Sequence, residues 1–140
     1  MSTELKTNAD VIAYFHANGG DVPAAYEGEP APMLLVHTIG RKSGCDHVTP
    51  MRALVEGEVL YIFGTAHGST TDPDWVRNVA ANPDVEIEIG TERRKVHATL
   101  LADPELSRVW TTWSSIFPIL KETAARAARP IPVVRLAPRS

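Results

Sequence analysis

Apolar positions along this chain follow two periods, and the change from one to the other marks its elements. In "NADVIAYFHANGG", Val11, Ile12 and Phe15 fall on one helical face and Gly19-Gly20 supplies a stop, so a short helix opens the chain. "DVPAAYEGEPAP" follows as a proline-rich loop. "MLLVHTI" is a continuous apolar run that predicts a buried strand, and "HVTPMRALV" and "VLYIFGT" predict two more, joined across "EGE" in a hairpin. Pro50 lacks the donor that a central ladder needs, which places it at a strand edge or a bulge.

The second half repeats the alternation of helix and hairpin. "TTDPDWVRNVAANP" has the signature of a helix start, with Asp72 as the expected cap and Pro73 in the first turn, and it stops at Asn82-Pro83. In "DVEIEIG", Val85, Ile87 and Ile89 alternate with Glu86 and Glu88, the pattern of a strand with one wet face, and "RRKVHATLLA" returns after a Gly-Thr turn. "DPELSRVWTTWSSIF" is helical with Asp103 as cap, Pro118 must kink or end it, and "IPVVRLAP" is a last strand. Connections this short do not accommodate crossover helices. The expected fold is therefore α+β, mainly β: a small barrel of roughly six antiparallel strands with inserted helices.

Size and charge narrow the classes. The chain has 140 residues, which fits one domain over residues 1–140, with 1–30 as its N-terminal helix and loop. The formal net charge of -3 supplies no basic field for a nucleic-acid backbone, so any anion site must be local. No apolar run approaches the roughly 20 residues that span a bilayer, and "MSTELKTNAD" lacks the basic and apolar regions of a secretion signal. We expect a soluble cytoplasmic protein. The single cysteine, Cys45, agrees with a reducing compartment.

Three segments carry candidate chemistry. In "IGRKSG", a backbone turning at Gly40 and Gly44 aims N–H groups into one concavity, and Arg41, Lys42 and the Ser43 hydroxyl add charge and donors suited to phosphate or carboxylate. The alternative is a solvated basic turn, since the phosphate-loop pattern of glycines and lysine is not met. In "GTAHGSTTDPDWVRN", a strand end opens into a Gly/Ser/Thr loop and a helix start, a second place for an anion, where His67 can donate. Trp75 and Asn78 share a face there, unless Trp75 is core. Trp110, Trp113, Phe117 and Leu120 fall near helical spacing and either pack the core or wall an apolar pocket.

Two further chemistries are disfavoured. Cys45, Asp46 and His47 are sequence neighbours whose side chains alternate across an extended segment, so they do not converge as a nucleophilic triad. His16, His37, His47, His67 and His97 show no ligand spacing, so no metal site is expected.

The order and spacing of "TIGRKSG", "CDHVTPM", "GTAHGS", "DPDWVRNVAANPDVEIEI" and "IPVVRL" resemble the deazaflavin-dependent nitroreductase and quinone reductase family, actinobacterial split-barrel oxidoreductases that use coenzyme F-420. The resemblance runs from about Leu34 to Pro138. It implies that Arg41, Lys42 and Ser43 meet the cofactor's phosphate and acidic tail, with His47, Val48, Thr49, Pro50, Met51 and Arg52 running beside it. It further implies contacts from Gly64, Thr65, Ala66 and His67 and, on the inserted helix, from Asp74, Trp75 and Asn78. Phe117 and Leu120 would belong to the substrate pocket, and no catalytic side chain is assigned.

The implied activity is hydride transfer from reduced F-420 to a conjugated acceptor: a quinone, an unsaturated lactone or ketone, or a nitro compound. The alternatives are a non-catalytic deazaflavin carrier and an FMN-dependent split-barrel reductase; a homodimer is left open. Two departures stand out. Many relatives have lysine where His67 aligns, and the nitro-reducing members have tyrosines where this chain has Phe117, Leu120 and Thr123, which points to a more apolar acceptor pocket.

Overall fold

Ala53 shapes the sheet. The computed structural model describes residues 7–22, 31–65 and 70–139. Its strands are β1 (Met33–Ile39), β2 (Asp46–Arg52), β3 (Leu54–Glu56), β4 (Val59–Phe63), β5 (Asp84–Ile89), β6 (Glu92–Leu100) and β7 (Val133–Pro138). They form one antiparallel sheet in the order β2-β1-β5-β6-β7-β4-β3. The two outermost strands, β2 and β3, are separated in the chain by Ala53 alone. The sheet therefore curls until its edges are the two halves of one bent strand, which is a barrel. Counting that strand once gives the six expected; the stretch "HVTPMRALV" runs through the bend because nothing in its apolar pattern marks Ala53. Ala53 is fully buried and donates its N–H to the Pro32 carbonyl at 3.0 Å.

Strand alternation fills the barrel. Leu34 and Val36 of β1, Leu60 and Ile62 of β4, Val85 and Ile87 of β5, Val96 and Ala98 of β6, and Val134 and Leu136 of β7 make one buried cluster. Each such aliphatic side chain contributes about 1.5–3 kcal/mol when fully buried. Helix α2 (Asp74–Ala81) connects β4 to β5 and adds Trp75, Val76 and Val79 to that cluster, closing the end of the barrel where β1 and β4 finish.

Three helices cover the outside. In α1 (Asn8–Ala17), Thr7 and Asp10 form a reciprocal capping box with both bonds at 3.1 Å, and Phe15 packs with Val22 and Leu35. Gly19 and Gly20 end it at φ +61° and +86°. Gly20 also lies on the backbone of Gly90, where a Cβ would come within 2.5 Å, so this stop doubles as a close approach to the β5–β6 turn. α3 (Glu105–Ile116) packs Val109, Trp110 and Trp113 against Tyr61 and Val133, and Pro118 separates it from α4 (Ile119–Ala127).

The helix starts divide in how they match expectation. Asp103 lies one residue before the α3 cap position, which is Pro104, but its carboxylate still satisfies the first turn, accepting from the Ser107 N–H at 3.0 Å and hydroxyl at 2.6 Å. Asp72 does not cap α2. The helix begins at Asp74 with Pro73 at the cap and no side-chain cap bond, because the Asp72 carboxylate is taken by Arg129 at 2.7 Å. Pro50 lies in β2, which pairs only with β1, so its missing donor opens no gap between two neighbours. Most of the proline-rich loop, residues 23–30, lies outside the described residues. No described helix is long and apolar enough to cross a membrane.

Candidate functional site

The turn between β1 and β2 is built around Gly40. Its N–H donates to the Cys45 carbonyl at 2.8 Å, and its carbonyl accepts from Gly44 at 2.9 Å, with Gly44 at φ +71°. A Cβ at Gly40 would lie 2.5 Å from Ser43 Oγ and 2.9 Å from His47 Nε2. A side chain here would push aside the hydroxyl and the imidazole that fold over the turn.

Arg41 is braced rather than free. Its backbone N–H and its Nη1 both donate to Asn78 Oδ1, at 3.2 and 3.0 Å, and Nη2 lies 3.6 Å from Asp74. Asn78 is 5% exposed on α2, so a buried amide fixes the turn against the helix. Lys42 and His47 are the opposite case: among the described residues neither makes a hydrogen bond or an ion pair, and both are exposed. Ser43 Oγ accepts from the Cys45 N–H at 3.2 Å and keeps its own proton to donate.

Only half of the run from His47 to Arg52 faces the barrel interior. Register pairs His47 with Thr38, Thr49 with Val36 and Met51 with Leu34, so these three share the inner face. Val48 packs outside with Phe15 and Leu35, and Arg52 donates to the carbonyls of Ala31 at 3.0 Å and Val22 at 3.4 Å. Thr38, one step from the turn, is fully buried, and its hydroxyl has no hydrogen-bond partner among the described residues. An orphan hydroxyl at this place is unusual, since buried polar atoms are nearly always paired.

At the end of β4, Gly64 is wedged between Pro132 and Val76, which a Cβ would meet at 2.7 and 3.0 Å. Its N–H donates to the Pro132 carbonyl at 2.8 Å. Thr65 is half-buried beside it, whereas Ala66 and His67 lie outside the described residues. On α2, Asp74 is exposed, but Trp75 is 8% exposed and belongs to the barrel core. Phe117 stacks on Trp113 at 6.1 Å with an 8° interplanar angle, and Trp113 Nε1 donates to Glu56 at 2.8 Å. Leu120 is half-buried on α4, and the buried Thr123 hydroxyl donates to the Ile119 carbonyl at 2.8 Å. The structure thus joins Arg41, Lys42, Ser43, His47, Asp74 and Asn78 at one end of the barrel. Arg129, which no sequence motif marks, also reaches this end, with bonds to Gly64, Thr65 and Asp72.

Such an end can hold an anion on unpaired donors beside a buried orphan hydroxyl, next to a core dry enough to exclude water. A family model described as "F420H(2)-dependent quinone reductase" matches residues 8–138. The chain belongs to this family. An F420H(2)-dependent quinone reductase of Mycobacterium tuberculosis is 33% identical over 134 residues, covering 89% of this chain and 85% of that protein. Among solved structures, an F420-H2 dependent reductase superposes with a TM-score of 0.66 at 27% identity, over 75% of this chain and 93% of the other. A FAD-binding protein from Mesorhizobium loti shares the fold at a TM-score of 0.53 and 13% identity, over 77% and 81% of the two chains. The split-barrel architecture and the family expected from the sequence both stand.

Proposed function

We propose that this protein is a single-domain cytoplasmic reductase that oxidises reduced coenzyme F-420 and reduces a quinone. The observation that carries the site assignment is the unequal fate of the two cations in the β1–β2 turn. Arg41 is spent on Asn78 and Asp74, while Lys42, with Ser43 and His47 folded over Gly40, is left to face a ligand. The cofactor's phosphate and acidic tail match that donor set. Hydrogen bonds to charged groups contribute about 1.5–3 kcal/mol each, so three or four supply most of the roughly 8 kcal/mol of a micromolar complex.

Reduced F-420, when bound, supplies the hydride. The protein's part would be to seat the anionic arm on Lys42, Ser43 and His47, to hold the ring beside β2, and to limit water with the packed barrel next to it. A quinone that accepts a hydride then takes one proton to become the hydroquinone, and the exposed rim lets water provide it.

Fluorescence titration with F-420 and with FMN, followed by reoxidation of reduced F-420 in the presence of a quinone, tests this. Binding of F-420 in preference to FMN, with oxidation above the protein-free rate, is expected. Binding without turnover would make the protein a carrier, and preference for FMN would make it a reductase of another cofactor class.

A further inference from the structure

We propose that Arg129 is a positioning residue, holding the exit of β4 and the approach to α2 in the shape that cofactor binding requires; this rests on the cofactor assignment above. Its guanidinium is 11% exposed and bridges two segments that both lie far from it in the chain. Nη2 donates to the carbonyls of Gly64 at 3.1 Å and Thr65 at 3.2 Å, and Nη1 donates to Asp72 at 2.7 Å. The two stems of the β4–α2 connection are thereby fixed by one planar fork, a geometry that an ammonium cannot reproduce.

Two further observations give the fork a purpose. Asp72 would otherwise stand unpaired beside a site built for an anion, and the 2.7 Å ion pair cancels its charge there. The chain also reaches Arg129 through Ala128, which leaves α4 at φ +53°, the one described non-glycine residue with positive φ. Alanine gains nothing from that conformation, and such outliers persist where the surroundings require them. Here the left-handed step turns the chain so that Arg129 lies against Gly64, while Pro132, three residues on, accepts the Gly64 N–H. Arg126, one turn earlier on α4, is exposed.

The test compares Arg129→Ala, Arg129→Lys and Asp72→Asn by F-420 titration, kinetics and amide hydrogen exchange. Both Arg129 variants should raise the cofactor dissociation constant about tenfold, as loss of charge-assisted bonds does. They should raise KM for reduced cofactor while kcat at saturation stays within about twofold. Exchange should quicken at Gly64, Thr65 and Asp72 and stay unchanged in β1, β5 and β6. Asp72→Asn, which keeps the two carbonyl bonds, should lose less affinity than either. Wild-type affinity in Arg129→Lys would overturn the proposal, because charge alone would then suffice. So would faster exchange throughout the barrel or failure of both Arg129 variants to fold, either of which would assign Arg129 to general stability. If the wild type does not bind F-420, the cofactor assignment fails, and the exchange at Gly64 and Thr65 still reports on the fork.

Discussion

Arg41 and Lys42 are neighbours with different surroundings, and the proposed cofactor site predicts that their variants behave differently. Arg41 acts through geometry: two of its donors converge on the buried Asn78 carbonyl oxygen. Lys42 acts through charge, having no partner among the described residues. Lys42→Ala should therefore weaken F-420 binding about tenfold in low salt, with the difference shrinking as salt is added. Arg41→Ala and Asn78→Ala should weaken it at every salt concentration, because the turn loses its brace. Arg94, paired with Glu92 at the far hairpin, is the control, and an equal loss in Arg94→Ala would contradict the assignment. Thr38→Val gives a second contrast. Removing an orphan hydroxyl that is fully buried should raise the unfolding free energy by about 1 kcal/mol and leave cofactor affinity unchanged; chemical denaturation and titration of one variant measure both.

The glycines and cations of the turn were legible in the sequence because they are adjacent. Asn78 was legible through its helical spacing from the α2 start. Arg129 was not: "AARAARPIP" does not distinguish it from Arg126, and its partners lie 57 to 65 positions away. Trp75 was ambiguous because one side chain on an amphipathic helix can be core or contact, and only the closed barrel places it inside.

At the scale of elements, α1 is tied to the barrel through Glu88 of β5. Glu88 accepts from His37 Nε2 at 2.7 Å and bonds His16 of α1 at 3.0 Å. Burial alone pushes its carboxyl up, but the bonds from His37 and His16 outweigh it and hold the group below its ordinary value of 4.5. A depressed folded value means that the stabilisation is present above 4.5 and is lost as pH falls through the lower folded value. Urea midpoints should therefore fall more steeply on acidification below about pH 4.5 in the wild type than in Glu88→Gln, which keeps an acceptor without the charge. Equal slopes would remove Glu88 from this role. Boundaries within elements were the least legible feature. Asp72 and Asp103 both precede a proline and both read as caps, yet only Asp103 lacks a competing arginine.

At the scale of the molecule, closure depends on a residue small enough to bend a strand inside the core. Ala53 is fully buried and its N–H is held by Pro32. Ala53→Leu should cost about 1–3 kcal/mol through overpacking, as read by thermal or chemical unfolding, and should broaden the whole barrel's transition rather than one edge. The alternating strands, the hairpin at Gly90 and the end of α3 before Pro118 follow from local pattern, whereas the separate helix α4 beyond it does not. Closure does not either, because it is set by the bend at Ala53, which makes the two outermost strands of the sheet order consecutive in the chain.

The β1–β2 turn is the proposed seat of the cofactor's anionic arm. The most direct measurement is a paired titration of the wild type with F-420 and with the deazaflavin core that lacks the phosphate-bearing arm. Full F-420 should bind at least about tenfold more tightly, and Lys42→Ala should erase most of that preference. Equal affinity for the two ligands, or a preference that survives Lys42→Ala unchanged, would contradict it.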